Sequence, residues 1–224
     1  VSNVTYSPEC VADYTMLLIL MSIRKMKRIL QRAELNDFSL PGIQGGELHN
    51  FTVGVIGTGK IGQAVIRDLS GFGCKIYAYD VYRSESVKEY ADYVENVQEI
   101  YQKCDLITLH MPLFESNFHM IDEKAMAQMK DGVVLINDTK ALIKGLETGK
   151  VGAAGLDVIE DEFGLYYKDL KSKCLSKHDL CILRSFPNVV VTPHMAFYTD
   201  QAVSDMVKNS ILSCCLNERG EENP

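Results

Sequence analysis

A glycine-rich turn between a short apolar run and a predicted helix constrains this chain more than any other feature of its sequence. Residues 53–62 read V-G-V-I-G-T-G-K-I-G, which places glycines at Gly57, Gly59 and Gly62. In a strand–turn–helix unit, the first glycine permits a tight turn, the second lets the backbone approach a pyrophosphate, and the third lets the helix pack on its strand. The helix N-terminus then offers free N–H groups to the phosphates, so the pattern predicts a dinucleotide site.

A second apolar run, residues 75–79, supports this interpretation because it ends at Asp80. A carboxylate at that point can accept hydrogen bonds from the ribose hydroxyls and would repel a 2′-phosphate. The sequence therefore favours NAD over NADP, although Arg83 lies nearby. The alternative is that the three glycines only punctuate loops, and the strand context with Asp80 weighs against it.

Composition excludes several classes of function. The net charge is −7 and no basic cluster is present, which argues against a nucleic-acid surface and against binding to anionic membranes. The seven cysteines are scattered, without the C-x-x-C spacing of a structural zinc site, and are expected to be reduced thiols. No signal peptide precedes the first predicted helix, so a cytoplasmic location is expected.

The N-terminal part of the chain predicts one long helix. Ser7-Pro8 is typical of a helix start, and no glycine or proline interrupts the sequence from Glu9 to about Ala33. Residues 16–21 are apolar on every face of such a helix, so it must be buried on several sides. Burial in a core and burial at a subunit interface both remain open.

The rest of the chain alternates apolar strands with helices, which predicts an α/β fold with a doubly wound parallel sheet. The final helix is expected from Asp200 to about Asn217. The other predicted elements are strands at 52–56, 75–79, 106–110, 133–136, 154–158 and 189–191, and helices at 61–70, 97–103 and 123–129.

Residues that follow the strands are the candidates for chemistry, because ligands of open parallel sheets lie beyond the carboxyl ends of the strands. Those positions hold His110-Met111-Pro112, Asn137, the segment 157–162, and Pro193-His194. An enzyme that reduces a carbonyl with a nicotinamide needs a proton donor, and histidine titrates near neutral pH. Glu162 and His194 could form such a donor with its carboxylate partner; the alternative is that both histidines are ordinary strand-end residues.

Several segments resemble the D-2-hydroxyacid dehydrogenase family and, within it, the D-lactate dehydrogenases, including those of the vancomycin-resistance type. The aromatic residues Phe197 and Tyr198, which follow the histidine in the segment N-V-V-V-T-P-H-M-A-F-Y-T, point to the lactate subgroup. The segments are V-S-N-V-T-Y-S-P-E-C-V-A-D, G-V-I-G-T-G-K-I-G, L-H-M-P-L, H-M-I-D, G-L-D-V-I-E-D-E and N-V-V-V-T-P-H-M-A-F-Y-T.

The resemblance implies a Rossmann-type NAD-binding domain, a small 2-keto or 2-hydroxy acid as substrate, and a homodimer. It implies that His194 is the acid/base residue, that Glu162 is its carboxylate partner, and that Tyr6 borders the substrate. The cofactor contacts it implies, in addition to the three glycines, come from Lys60, Ile61, Asp80, Met111, Pro112, Asn117 and Asp157.

The chain departs from the family in one segment that matters for catalysis. Family members carry N-x-x-R-G-x-L-I-D after a strand, whereas this chain continues from Asn137 directly to D-T-K-A-L, as if about seven residues were missing. The missing arginine would bind the substrate carboxylate through a bidentate fork. Lys140 is a weak substitute, because the helix match places it on a different element and an ammonium lacks that fork.

A second departure lies at the N-terminus, where family members have roughly a hundred more residues that form most of a substrate domain. We expect residues 7–195 to form the dinucleotide-binding domain, and residues 1–6 and 196–224 to be remnants of the substrate domain and its crossover. The expected function is that of a D-lactate dehydrogenase, inactive or poorly active if the arginine segment is truly absent. A non-catalytic NAD-binding module and a dehydrogenase of a bulkier D-2-hydroxyacid are the alternatives.

Overall fold

A computed structural model describes residues 7–112, 120–136, 141–160, 162, 164–173, 175 and 177–219. Within these ranges strands and helices alternate along most of the chain. The strands are β1 Thr52–Ile56, β2 Lys75–Tyr79, β3 Asp92–Tyr93, β4 Leu106–Leu109, β5 Val133–Ile136, β6 Val151–Leu156 and β7 Val189–Val191. The helices are α1 Glu9–Ile23, α2 Met26–Glu34, α3 Lys60–Ser70, α4 Val97–Lys103, α5 Glu123–Gln128, α6 Leu142–Glu147, α7 His178–Ser185 and α8 Asp200–Arg219.

The described strands form one sheet in the order β3-β2-β1-β4-β5-β6-β7, and every pair is parallel. The first strand, β1, lies inside the sheet. The next two strands extend outward from it to β3, and β4 then pairs with the other side of β1. This reversal confirms the predicted doubly wound sheet. The carboxyl ends of all the strands lie at one edge, and β1 and β4 flank the switch point at which ligands of such folds bind.

Helices cover both faces of the sheet, and each face has its own apolar core. Helices α1 and α3 pack on one face, where their buried side chains join those of β1 and β2. Helices α4, α5, α6 and α7 cover the other face. Both layers exclude water from the strands, which accounts for strand sequences that are almost wholly apolar. Within the part of the chain that the structure describes, no helix is both long and apolar enough to span a membrane.

The first helix owes its all-round apolar sequence chiefly to burial within this chain. Leu18 and Ile19 are almost fully buried, and α1 packs against α3 and the strands β5, β6 and β7. Leu17, in contrast, keeps 46% of its surface exposed. Of the two explanations left open by the sequence, the core therefore accounts for most of this helix.

The prediction of one unbroken helix to Ala33 is wrong, because the helix ends at Ile23 and restarts at Met26. Lys25 takes a left-handed conformation with φ of 54°. The carbonyl of Ile23, which a continuing helix would use for an N–H four residues on, instead accepts a hydrogen bond from Gly46 N at 2.9 Å. A loop that folds back therefore bonds the carbonyl at the end of α1 in place of a further helical turn. The sequence at the break contains no glycine or proline that would predict it.

Two further predictions need correction. Strand β6 runs from Val151 to Leu156 rather than over 154–158, since two glycines weakened the strand pattern at its beginning. One of them, Gly155, lies so close to α1 that a Cβ atom would come within 3.0 Å of Leu18 Cβ. The helix start at Ser7-Pro8 is displaced by one residue from a serine N-cap, since the N-cap position is Pro8, although Ser7 Oγ accepts a hydrogen bond from Glu9 N at 3.3 Å. Strand β3 and helix α7 were not predicted.

A single lysine holds the start of α2 to the segment that leads into β7. The ammonium group of Lys27 donates to the carbonyls of Arg184, Phe186 and Val189 at 2.8, 2.6 and 2.9 Å. Burial lowers the pKa of Lys27, with a smaller contribution from the charge of Arg184. The three carbonyls at the end of α7 and the start of β7 are thereby satisfied by one side chain from a distant helix.

We expect the substitution Lys27→Met to lower the free energy of unfolding by about 1–3 kcal/mol, because the three carbonyls lose a charged donor. Urea denaturation measures this change. The matched control is Lys25→Met, which makes the same chemical change at an exposed lysine of the same helix break. Equal losses for the two variants would show that the carbonyl contacts contribute nothing.

Candidate active site

The glycine turn has the geometry that a dinucleotide requires. Gly57 has φ of +93°, and a Cβ atom there would lie 2.6 Å from His110 O at the end of β4. A Cβ atom on Gly62 would overlap Gly57 O, so α3 can approach β1 only with glycine at that position. Gly59 differs, because a Cβ atom there would meet no protein atom within 4 Å. The first and third glycines therefore serve the fold, and the second leaves open space in front of the helix.

Helix α3 begins directly after this open space. Its N-cap is Gly59, whose residue type offers no side chain to bond the first N–H groups of the helix. Lys60 is exposed in the first turn, and Ile61 is half-buried against the core of this face. The free N–H groups and the helix dipole make this terminus suitable for a pyrophosphate. Cofactor contacts from Lys60 and Ile61 remain a prediction.

The carboxylate of Asp80 is held against the glycine turn by Thr58. Thr58 N and Oγ1 lie 2.5 and 3.2 Å from Asp80 Oδ2, and Tyr82 N donates to Oδ1 at 3.0 Å. The hydroxyl of Thr58 is also within 2.8 Å of the Tyr93 hydroxyl. Asp80 thus has a fixed orientation beside the turn, as its proposed contact with a ribose requires. No sequence pattern indicated that Thr58 and Tyr93 hold this carboxylate.

The arginine that could have favoured a 2′-phosphate is engaged elsewhere. Arg83 pairs with Glu95 at 3.0 Å, donates to Val94 O at 3.0 Å, and places its guanidinium 5.5 Å from the centre of the Tyr93 ring. These contacts hold the guanidinium on the side of β3. Asp80 is therefore the charged group at the end of β2 that bonds the glycine turn, which agrees with NAD as the cofactor.

The end of β4 closes the switch point. His110 N donates to Ile56 O at 2.8 Å, and the ring Nε2 lies 2.9 Å from Thr108 Oγ1. Burial lowers the pKa of His110 to about 4. The ring is therefore neutral at physiological pH and is unsuited to donate a proton. Met111 is half-buried and Pro112 is exposed at this edge of the sheet, where the predicted cofactor groove would run.

Asp157, at the end of β6, organises the turn that follows β7. Its Oδ1 accepts hydrogen bonds from Thr192 Oγ1 and Met195 N at 2.6 and 2.8 Å, and its Oδ2 accepts from Ala196 N at 2.8 Å. The carbonyl of Asp157 accepts from His194 N at 2.9 Å. The side chain is buried, so these hydrogen bonds stabilise its negative charge. The sequence missed this structural function, and a contact of Asp157 with the nicotinamide remains a prediction.

The turn held by Asp157 presents His194 to Glu162. His194 has φ of 53°, and its Nδ1 lies 2.7 Å from Glu162 Oε1. A carboxylate can only accept at that distance, so Nδ1 carries the hydrogen and Nε2 is left to exchange a proton with another molecule. The His194 side chain is 36% exposed and the Glu162 side chain 25%. The pair is therefore accessible yet partly shielded, as a proton donor requires.

Aromatic rings surround His194. The rings of Tyr166 and Phe197 meet it edge to face, with centroids 6.5 and 6.2 Å away. The hydroxyl of Tyr167 donates to His194 O at 2.9 Å. The sequence indicated Phe197 but not the two tyrosines. Tyr167 lies 27 residues before His194, and a Tyr-Tyr pair in a loop carries no pattern that would predict this contact.

The structure thus brings His194 and Glu162 into contact and places the glycine turn, Asp80 and Asp157 at the same edge of the sheet. Tyr6 and Asn117, which were predicted to contact the substrate and the cofactor, lie outside the described residues. The same holds for Asn137 and Lys140, at the point where the family arginine is missing.

Comparison with protein families agrees with this geometry. Residues 16–196 match the sequence profile described as "D-isomer specific 2-hydroxyacid dehydrogenase, NAD binding domain". An aromatic 2-oxoacid reductase of Clostridium sporogenes is 46% identical over 236 aligned positions, covering 98% of this chain and 71% of the relative. A D-specific alpha-keto acid dehydrogenase of Enterococcus faecium is 45% identical over 230 positions, covering 100% of this chain and 70% of the relative. Both alignments are longer than the 224-residue chain and so require gaps in it.

Solved structures show the same fold. A D-lactate dehydrogenase of Treponema pallidum superimposes with a TM-score of 0.90 at 35% identity, covering 97% of this chain and 68% of that one. A D-lactate dehydrogenase of Aquifex aeolicus, solved with NAD and lactic acid, gives a TM-score of 0.89 at 36% identity, with the same two coverages of 97% and 68%.

We expect Gly59→Ala to keep the fold and to weaken NAD⁺ binding at least about tenfold, because a methyl group at the open position meets the pyrophosphate and not the protein. Isothermal titration calorimetry measures the affinity. The control is Gly71→Ala, at the other end of the same helix. Gly62→Ala should instead impair folding, and wild-type affinity in Gly59→Ala would contradict the assigned pyrophosphate position.

We expect Asp157→Asn to lower the free energy of unfolding by about 1.5–3 kcal/mol. An amide offers one acceptor oxygen in place of two, and its NH₂ group would face backbone N–H groups of the turn. Urea denaturation tests this, with Asp92→Asn on an exposed edge strand as the control. A stability equal to that of the control would show that the carboxylate does not hold the turn.

Proposed function

The chain belongs to the D-isomer-specific 2-hydroxyacid dehydrogenase family, and from that premise we propose that it is a D-lactate dehydrogenase, which reduces pyruvate to D-lactate with NADH. The coarser assignment, an NAD-dependent D-2-hydroxyacid dehydrogenase, follows from the family itself. The observation that carries the proposal is the contact of 2.7 Å between His194 Nδ1 and Glu162 Oε1 at the carboxyl edge of the sheet. A module that only binds NAD needs neither residue.

In the proposed reaction His194 supplies the proton to the carbonyl oxygen of the substrate. Its Nδ1–H bond to Glu162 fixes the orientation of the ring, so that Nε2 is the nitrogen that holds the proton to be transferred. NADH, when bound, supplies the hydride. In the reverse direction His194 accepts the proton of the hydroxyl group. Asp157 holds the backbone of His194 in place through the turn that it organises.

The proposed cofactor site lies at the switch point between β1 and β4. Its core is the open space at Gly59 in front of α3, with Asp80 fixed beside it. The residues proposed to contact NAD are Gly57, Gly59, Lys60, Ile61, Gly62, Asp80, Met111, Pro112, Asn117 and Asp157. We also propose that Tyr6 borders the substrate, that residues 7–195 form the cofactor domain, and that the protein is a cytoplasmic homodimer.

Preference for a small substrate is supported by one aromatic side chain. Phe197 packs edge to face on both His194 and Tyr167 and would narrow the space beside the imidazole. Tyr198, the next residue, is 65% exposed and contributes less to this restriction. An aromatic 2-oxoacid is the second candidate substrate, because the similar reductase of Clostridium sporogenes is named for that class.

The missing arginine supports the competing proposal of a non-catalytic NAD-binding module. Loss of a buried, charge-assisted contact with the substrate carboxylate would cost about 2–5 kcal/mol, mostly in the transition state. The retained pair of His194 and Glu162 favours the enzyme. We therefore propose an enzyme whose rate is limited by poor hold on the substrate carboxylate.

The proposal is tested by following the loss of NADH absorbance at saturating cofactor with pyruvate, 2-ketoisocaproate and phenylpyruvate. We expect turnover with all three and the highest kcat/KM with pyruvate, because Phe197 restricts the space for the side chain. A higher value for phenylpyruvate would replace lactate by an aromatic hydroxyacid. No turnover with any 2-oxoacid at high enzyme concentration would favour the binding module.

We expect His194→Asn to leave the affinity for NAD⁺ unchanged and to lower kcat by about 10²–10⁴-fold, the range typical of a positioned acid/base group. Calorimetry and the absorbance assay measure the two quantities on the same preparation. The control is His178→Asn, which changes an exposed histidine at the start of α7. Equal kcat values for His194→Asn and wild type would remove His194 from the reaction.

A further inference from the structure

Two buried polar atoms beside His194 lack hydrogen-bond partners among the described residues. They are the hydroxyl oxygen of Tyr166 and the Oε2 atom of Glu162. A buried hydroxyl or carboxylate oxygen without a partner is costly, and native proteins seldom leave one unpaired. One of these atoms belongs to a group that can donate, and the other to a group that only accepts. The two orphans are therefore chemically complementary.

Both residues touch the same imidazole. Glu162 holds His194 through its other oxygen, with Oε1 at 2.7 Å from Nδ1. The Tyr166 ring meets the His194 ring edge to face, with an angle of 86° between the planes. Burial raises the pKa of Tyr166 to about 12, and the charges of Glu162 and Asp157 add to this rise. The phenol therefore keeps its proton at neutral pH and is a donor near the charge of Glu162.

We propose that Tyr166 is a positioning residue for the His194–Glu162 pair, and that its hydroxyl donates to Oε2 of Glu162 through one bridging water molecule, since the two atoms do not bond each other directly. This bond fixes the carboxylate so that Oε1 stays directed at Nδ1 of His194. It also draws part of the negative charge toward Oε2, which moderates the pull of the carboxylate on the Nδ1 hydrogen. The inference rests on the proposed function for its catalytic meaning. The hydrogen bond itself can be tested whether or not the chain turns over a substrate.

Tyr167 provides a contrast that the experiment can use. Its hydroxyl also lies beside His194, but it donates to the backbone carbonyl at 2.9 Å and not to the carboxylate. Tyr166→Phe and Tyr167→Phe therefore remove the same atom from neighbouring residues. Only the first removes a donor that we assign to Glu162.

The test measures the imidazole nitrogen resonances of His194 by ¹⁵N NMR in the 224-residue chain, detected through the carbon-bound ring protons. The signals are assigned from their loss in His194→Asn, since the chain has five histidines. We expect Tyr166→Phe to shift the Nδ1 resonance of His194 as its hydrogen moves closer to Oε1. Tyr167→Phe should leave that resonance nearly at its wild-type position.

If the chain proves active, Tyr166→Phe should also lower kcat roughly tenfold, with KM for the 2-oxoacid and the affinity for NAD⁺ little changed. Unchanged Nδ1 resonances in Tyr166→Phe, or equal shifts in the two variants, would overturn the inference. Absence of turnover in the wild type would overturn the proposed function and leave the NMR result to stand alone.

A second measurement covers the case in which Tyr166→Phe fails to fold. With tyrosine labelled at Cζ, the Tyr166 signal of the otherwise wild-type chain should shift in Glu162→Gln, because the acceptor changes, while the Tyr167 signal should not. A Tyr166 signal that does not respond to Glu162→Gln would again reject the bond.

Discussion

The position of His194, the proposed proton donor, depends on one buried carboxylate, that of Asp157. His194 has a left-handed backbone, a conformation that costs a non-glycine residue about 1–2 kcal/mol. Asp157 compensates for this cost by accepting two backbone N–H groups and one hydroxyl from the same turn, while its own carbonyl accepts His194 N. A buried charge is tolerated only when its lone pairs are satisfied, so the turn and the carboxylate stabilise each other. The contact between His194 and Glu162 becomes possible because the backbone is already fixed.

The sequence predicted the fold well where apolar runs are bounded by clear punctuation. Strands β1, β2, β5 and β7 have the predicted limits, because each is a short apolar run next to a glycine, an aspartate or a proline. It failed where a distant contact decides the local structure. The break at Lys25 follows from the loop that bonds Ile23 O, and no helix propensity of residues 24–26 foreshadows it. Strand β3 has only two residues, too few for a pattern.

The site shows the same division between local and distant information. The glycine turn and Asp80 were predictable because each follows its own strand by a fixed number of residues. The contact between Glu162 and His194 spans 32 residues, and only the resemblance to a family fixed that pairing. The bonds of Asp157 to residues 192–196 and the place of Tyr166 beside His194 could not be predicted, since they depend on how two loops after β6 and β7 fold onto each other. The contact of Thr58 with Asp80 could not be predicted, because the motif assigns functions only to its glycines.

The proposed cofactor site and the proposed substrate contact depend on different parts of this chain. The glycine turn and Asp80, which we propose as the core of the NAD site, follow β1 and β2 and are joined by hydrogen bonds inside that unit. We propose that the hold on the substrate carboxylate depends instead on the segment after β5, where the sequence has no counterpart of the family arginine. We therefore propose that this chain keeps its cofactor site and its His194–Glu162 pair while its hold on the substrate carboxylate is weak.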